Sequence, residues 1–227
     1  MAEFLYQWIP NVMERSDQLG EALIQTLQMV SISGLISLLL GIPFGVLLFT
    51  TKRGGILQNR PVHFVMSKFC DIFRSIPFIL LAILMLGLSR LLMGTGIGVK
   101  GAIIPLVFGT VPYLGRQTEN ALAEVPAGMI EAAQSMGATN MQIINKVLIP
   151  EAMPGIVAGV TIAIVTLVGY SAMAGAIGGG GLGDIGIRYG HNRYMPDVMW
   201  TVVLILVVFV QVIQSFGDWC VRKVSKR

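Results

Sequence analysis

The sequence predicts an all-α integral membrane protein with five transmembrane helices, its N-terminus outside and its C-terminus inside the cell. Three observations carry this reading. Of 227 residues, 54% are hydrophobic and only 12% are charged, with mean hydropathy +0.75; soluble domains carry about 25% charged residues. The stretches 22–51 and 152–183 contain no charged residue at all. The basic residues, finally, sort onto one side of the resulting topology. The net charge of +4 is small. It suits a protein whose basic residues set membrane topology, and gives no reason to expect a nucleic-acid partner.

Three parts are expected: an N-terminal interfacial segment (1–20), the transmembrane domain (21–221) with a polar docking region at about 124–150, and a basic tail (222–227). The first 21 residues mix Phe4, Tyr6, Trp8 and Ile9 with Glu3, Glu14 and Asp17. They lack the basic start and apolar core of a secretory signal. Aromatics beside acids suit a short helix on the membrane surface; the alternative is a partly ordered tail.

Segment one lies between Glu21 and Lys52. At ~1.5 Å per residue, a helix of that length exceeds the ~30 Å hydrocarbon core, so it must tilt, bend or protrude. Pro43 offers a bend, and Gly41 with Gly45 a face for close helix contact. Segment two begins near Pro61 and runs to about Leu88. Its first turns carry Lys68, Asp71 and Arg74 on one face, where they can pair. Gly94, Gly96 and Gly98 mark an outer loop. Segment three follows, with Pro105 and Pro112 implying irregular helix and Arg116 and Glu119 spaced to form a structural ion pair. Segment four runs from about Pro154 to Ala176, with a second GxxxG pair at Gly155 and Gly159. Gly178 to Gly181 then open an outer loop or short re-entrant piece. Segment five lies between Asp197 and Asp218.

With the N-terminus outside, eleven basic residues fall inside: Lys52, Arg53, Arg60, Lys68, Arg74, Arg116, Lys146, Arg222, Lys223, Lys226 and Arg227. Five fall outside: Arg15, Arg90, Lys100, Arg188 and Arg193. The positive-inside rule therefore supports this orientation and places the polar stretch around Glu131 in the cytoplasm.

Several chemistries are excluded. Gly181-Leu-Gly-Asp-Ile-Gly186 matches GxGxxG literally, but no βαβ unit surrounds it, so it is not a dinucleotide site. No GxxxxGK[ST] phosphate loop exists in the chain. Cys70 and Cys220 form no disulfide framework, and His63 and His191 no metal pair. Segments one, four and five carry no midplane charge, which ion-coupled carriers need unless helices break there. Energy for uphill transport would have to arrive from outside the chain.

The polar stretch is the natural entry point. Pro126 suits the first turn of a helix, Gly137 a left-handed helix end, and Thr139-Asn-Met-Gln142 reads as a capping box. A second helix, 140–149, ends at Pro150. Two short helices thus meet at a Gly-Ala-Thr corner, with Met129, Ile130, Ala133 and Met136 on one face and backbone accessible at Ala132 beside Glu131. That shape suits docking into a groove of another protein; a solvated linker is the alternative.

The residues here also carry a resemblance. Glu131, Ala132, Ala133, Gly137 and Pro150 match the EAA signature of ABC-importer permease subunits (EAA, three residues, Gly, nine residues, Ile-x-Leu-Pro), with Val147 and Ile149 replacing the Ile and Leu. Phe73 to Leu81, the VPYLGRQTENAL run and Thr166 to Gly190 resemble the methionine-uptake family of these permeases from about Gly20 onward. The resemblance implies a homodimer lining one path for methionine, L and D. It implies two copies of a cytoplasmic ABC ATPase docked on the Glu131 helix, and a methionine-binding lipoprotein outside. No cofactor is expected in this chain, ATP and Mg being bound by the ATPase, and no catalytic site. Tyr170, Ser171 and Met173 are expected near the gate, although residues of this kind also serve as packing. Rival readings are a permease for another solute, a passive channel and, less favoured, a membrane enzyme.

Overall fold

The computed structural model describes residues 9–225. Phe4, Tyr6 and Trp8 of the expected interfacial segment, and Lys226 and Arg227 of the tail, lie outside the described residues. Every regular element among the described residues is helical: α1 (Pro10–Glu14), α2 (Ser16–Thr51), α3 (Arg60–Ser75), α4 (Phe78–Leu84), α5 (Leu86–Met93), α6 (Gly98–Ala123), α7 (Ala127–Ser135), α8 (Asn140–Ile143), α9 (Ile149–Ala176), α10 (Gly181–Ile185) and α11 (Pro196–Val224). Wide π-helical turns at Ile144–Leu148 and Gly186–His191 follow α8 and α10.

Four continuous stretches are long and apolar enough to cross a membrane: α2, α6, Asn140–Ala176 and α11. Their large apolar side chains face outward as well as inward. Leu39 is 67% exposed and Leu204 and Val212 are each 61% exposed. Water would penalise such surfaces, whereas lipid does not. The protein is an all-α integral membrane protein.

Segment two departs from the single helix expected over 61–88. It breaks at Pro77, whose extended backbone (φ −54°, ψ 131°) precedes α4, and again at Met85. A proline disfavours helix at the residue before it, and Ile76 occupies that place. Segment three departs in the opposite sense. Despite Pro105 and Pro112, α6 runs unbroken for 26 residues. Each proline removes one donor, while a full break in apolar surroundings would strand several polar backbone groups.

Pro150 does not end a helix either. The chain passes from α8 through the π turn straight into α9. The turn's closing bond, Ile149 N to Ile144 O, spans five residues. That wider turn eases the clash between a proline ring and the preceding turn.

The chain folds as two compact units, each assembled from three stretches. The first takes residues up to Leu35 with Ile76–Gly109 and Ile164–Ile213; the second takes Ile36–Ser75, Thr110–Ala163 and residues from Gln214 on.

In the first unit, Met29, Leu106 and Leu167 are fully buried in one apolar cluster, and Leu182 and Val198 in another. The Gly178–Gly181 turn sends the chain back against α9, where Gly183 meets Ala172. Gly181 N donates to Gln25 Oε1 at 2.8 Å, and Leu182 N to Thr26 Oγ1 at 2.9 Å. The short helix α1 is tied to the start of α11, with Asn11 N and Nδ2 each donating to the Asp197 carboxylate at 3.0 Å.

In the second unit, both GxxxG pairs are real contact faces. A Cβ on Gly45 would sit 2.5 Å from Gly115 O, and one on Gly159 would sit 2.9 Å from Gln117 Cβ. Both pairs close on α6, which is therefore the central helix of this unit.

Candidate functional site

The corner after α6 is built by local rules. Pro126 stands extended (φ −58°, ψ 129°) at the head of α7. Gly137 takes φ +78°, as predicted, and closes a Schellman motif. In it Ala138 N donates to Ala133 O at 3.1 Å and Gly137 N to Gln134 O at 2.9 Å. The capping box is present: Gln142 N donates to Thr139 Oγ1 at 3.4 Å, and Thr139 N to Gln142 Oε1 at 2.8 Å. Two helix ends are thus satisfied within three residues.

Packing fixes what the corner shows. Ala133, Ile143, Ile144 and Leu148 are buried with Phe49, Leu122 and Val125. Ala133 is the buried residue of α7 in this core, at 4% exposure. Glu131, Ala132, Gln134 and Met136 all face outward, as does Pro150. The expected apolar face is therefore split. Ile130 and Ala133 turn inward, while Met129 and Met136 are 38% and 81% exposed. The reason is length. α7 has nine residues, so Met129 in its first turn and Met136 at its end overhang the core. Met141 adds a third exposed methionine at 66%. These three side chains are flexible and polarizable, and the backbone at Ala132 beside them is exposed.

Beside the corner, Arg116 of α6 gathers several acceptors. Its guanidinium donates to Glu119 at 2.6 Å, Asp71 at 2.9 Å and Ser67 Oγ at 2.5 Å. The Arg116–Glu119 pair was legible by spacing; the cross-helix bonds to α3 were not. They also displace the pairing expected among Lys68, Asp71 and Arg74. A planar five-donor fork engages two carboxylates at once, which an exposed pair along one helix cannot match. Arg74 instead lies 5.9 Å from the Tyr113 ring centre.

One turn away, Cys70 Sγ donates to Pro112 O at 3.5 Å. Burial pushes this thiol up to about 11 from its ordinary 9.0, with Arg116 opposing. The thiolate is the reactive form, so Cys70 stays unreactive at neutral pH. Maleimide applied to the folded protein at about pH 7 is expected to label the half-exposed Cys220 and spare Cys70 until the protein is denatured. Labelling both thiols at equal rates would contradict this.

Comparison with known proteins assigns the family. Residues 41–227 match the model described as "Binding-protein-dependent transport system inner membrane component". The chain belongs to this family. A Vibrio cholerae protein named "Probable D-methionine transport system permease protein MetI" is 52% identical over 212 residues, covering 93% of this chain and 94% of its own length. A Haemophilus influenzae protein of the same name is 48% identical, covering 86% and 92%. A solved chain of the MetNI methionine ABC transporter, in inward-facing conformations, superposes with a TM-score of 0.91 at 47% identity, covering 94% of this chain and 99% of that one.

For an inner-membrane transport component, the second place of interest is the end of α9. Tyr170 is half-buried and stacks on Phe78, ring centres 4.4 Å apart and planes 5° from parallel. Ser171 is buried and donates to Val168 O at 2.7 Å. Met173 is 48% exposed. The three residues singled out by sequence therefore lie in three different environments. Phe78 escaped the sequence reading because the break at Pro77, which puts it at the head of α4, was read as continuous helix. The one available signal was Ile76-Pro77 itself.

Proposed function

We propose that this chain is the permease subunit of an ATP-driven importer for methionine, L and D. The observation that carries the reading is the corner at Glu131–Gly137. It is rigidly capped on a buried core and presents an unpaired carboxylate, bare backbone and three methionines outward. The names of the relatives and the MetNI likeness supply the solute and the class of machine.

In this reading two copies of the chain line one path, and two copies of a separate ABC ATPase bind ATP and Mg. The ATPase grips α7, with Glu131 meeting a basic residue in its groove and Ala132, Ala133, Gly137 and Pro150 fixing the shape it grips. A methionine-binding lipoprotein delivers solute from outside. The chain makes five crossings, N-terminus out and C-terminus in. α2, α6, Asn140–Ala176 and α11 supply four. α4 and α5 complete the fifth, with α3 leading into it at the inner edge. The corner leads through the Gly137–Thr139 turn into one continuous helix, Asn140–Ala176, so closure of the ATPase pair would pull on the helix that carries Tyr170, Ser171 and Met173. These three mark the gate region. A two-state element biased from one end is what such coupling requires.

The test is reconstitution. Proteoliposomes holding the permease, its co-purified ATPase and the binding protein are expected to take up labelled methionine only with ATP, and unlabelled D-methionine is expected to compete. Uptake without ATP points to a channel. ATP-driven uptake of another amino acid that methionine does not inhibit removes the assigned solute.

A further inference from the structure

The turn between α2 and α3 forms an open groove of about 470 Å³ lined by Arg53, Arg60, His63, Phe64, Ser67 and Lys68. Its cations have no carboxylate partner among the described residues. Arg15, Arg116 and Arg188 each meet a carboxylate within 4.0 Å, whereas among the described residues Arg53, Arg60 and Lys68 meet none. Asp71 is the nearest acid along the helix, and Arg116 holds it at 2.9 Å. The groove therefore presents three uncompensated positive charges around one concavity.

The helix beside it is built for an interface. His63, Met66, Ser67, Cys70 and Phe73 turn inward or stand half-buried. His63 is held there by a 3.0 Å hydrogen bond between Nδ1 and Leu48 O. The opposite face mixes the exposed cations Arg60 and Lys68 with apolar side chains. Phe64 is 63% exposed, Val65 66% and Ile72 55%. Lys68 Nζ lies 5.9 Å from the Phe64 ring centre, so ammonium and ring lie side by side. An amphipathic surface of aromatic and aliphatic residues edged by lysine and arginine is the pattern of helices that lie among lipid headgroups. The cations attract anionic lipid and the apolar side chains accept its acyl chains.

We propose that this groove holds the headgroup of an anionic phospholipid. Arg53, Arg60 and Lys68 ring the phosphodiester, and Phe64 and Val65 lie along the first carbons of the acyl chains. Charge complementarity and the adjoining exposed apolar face favour a lipid over a free anion, which would use the cations and leave the apolar residues idle. Positive residues lie on the cytoplasmic side of the assigned topology, and that leaflet is where a resident anionic lipid would shield them.

The full-length protein, extracted mildly with whatever subunits accompany it, is analysed by native mass spectrometry after exchange into nanodiscs of phosphatidylcholine with phosphatidylglycerol. Wild type is expected to retain phosphatidylglycerol over phosphatidylcholine. The variant Arg53→Gln/Arg60→Gln/Lys68→Gln is expected to lose most of that preference. The charge-preserving Arg53→Lys/Arg60→Lys/Lys68→Arg variant and the distant Lys223→Gln variant are expected to keep it. Equal retention by the glutamine variant overturns the proposal. So does displacement of the lipid by millimolar inorganic phosphate, which would make the groove an anion site. Crosslinks from position 64 to a second copy or to the ATPase, in place of lipid, would make it a protein interface and overturn it likewise. The readout needs no transport, so it stands apart from the assignment of methionine.

Discussion

Replacing Gly137 with valine is expected to abolish ATP-driven methionine uptake while leaving the permease inserted and folded. The backbone at Gly137 has φ +78°. No heavy atom lies within 4 Å of where a Cβ would stand, so the substitution meets no clash. Its cost is conformational: a non-glycine residue in the left-handed region costs about 1–2 kcal/mol, and a β-branched one more. The chain can escape only by rotating out of that region, which breaks the Ala138 N to Ala133 O bond and re-aims α7. The buried anchors Ile143, Ile144 and Leu148 lie beyond the corner and keep the membrane part intact. In the proposed docking, a displaced corner would lose alignment with a groove in the ATPase, and about 1.4 kcal/mol of lost docking is a tenfold loss of affinity. Asparagine tolerates the left-handed region better than other side chains, so the expected order of uptake is glycine, asparagine, alanine, valine. The measurements are ATP-dependent uptake and the amount of ATPase that co-purifies. Wild-type uptake by the valine variant would sink the role given to this corner.

That corner was legible in the sequence because its rules are local. A left-handed glycine and a Thr-x-x-Gln box act over three or four residues, and both appear where the pattern puts them. The long helices were equally legible, since a charge-free stretch such as 22–51 has one physical solution in lipid. The GxxxG pairs gave true contact faces, although nothing in the sequence named α6 as the partner of both.

What stayed hidden depends on distant partners. The prolines show it most clearly. Pro77 breaks a helix, Pro105 and Pro112 do not, and Pro150 is absorbed after a π turn. A single residue type gives three outcomes because the surroundings decide whether a lost hydrogen bond is tolerated. The apolar face of α7 was misjudged for a related reason, since periodicity says which residues share a face but not how far a core extends beneath them. Asp71 was assigned to neighbours on its own helix, and only the approach of Arg116 from α6 reveals its partner. At the end of α9, sequence marked Tyr170 but could not supply Phe78, whose ring position follows from the break before it.

The turn after α9 is where an added side chain is expected to do the most damage to the fold. Gly183 of α10 lies against Ala172 of α9, and a Cβ there would overlap the Ala172 carbonyl oxygen and Cα. Gly175 faces back in the same way toward Asp184 N and the Gly183 carbonyl carbon. The two elements therefore touch backbone to backbone, with glycine on both sides. No flexible side chain is available to move aside. Crowding a packed core costs about 1–3 kcal/mol when rotamers can adjust, so Gly183→Val belongs at the top of that range or above it. Displacing α10 also pulls Gly181 and Leu182 from Gln25 and Thr26, their hydrogen-bond partners on α2. Gly87→Ala is the contrast. Gly87 lies inside α5 with nothing within 4 Å of its Cβ position, so alanine there is expected to be neutral or to stabilise by about 0.5–1 kcal/mol. Thermal melting in detergent, followed by the monodisperse fraction on size exclusion, separates the two. If Gly183→Val melts with the wild type, the close approach is not what holds the segment. If it melts early while Gly87→Ala does not, the small residues at the end of α9 are there to let the chain fold back on itself. The Tyr170–Phe78 stack, a little over one turn before Gly175, then sits beside a support that admits no larger side chain.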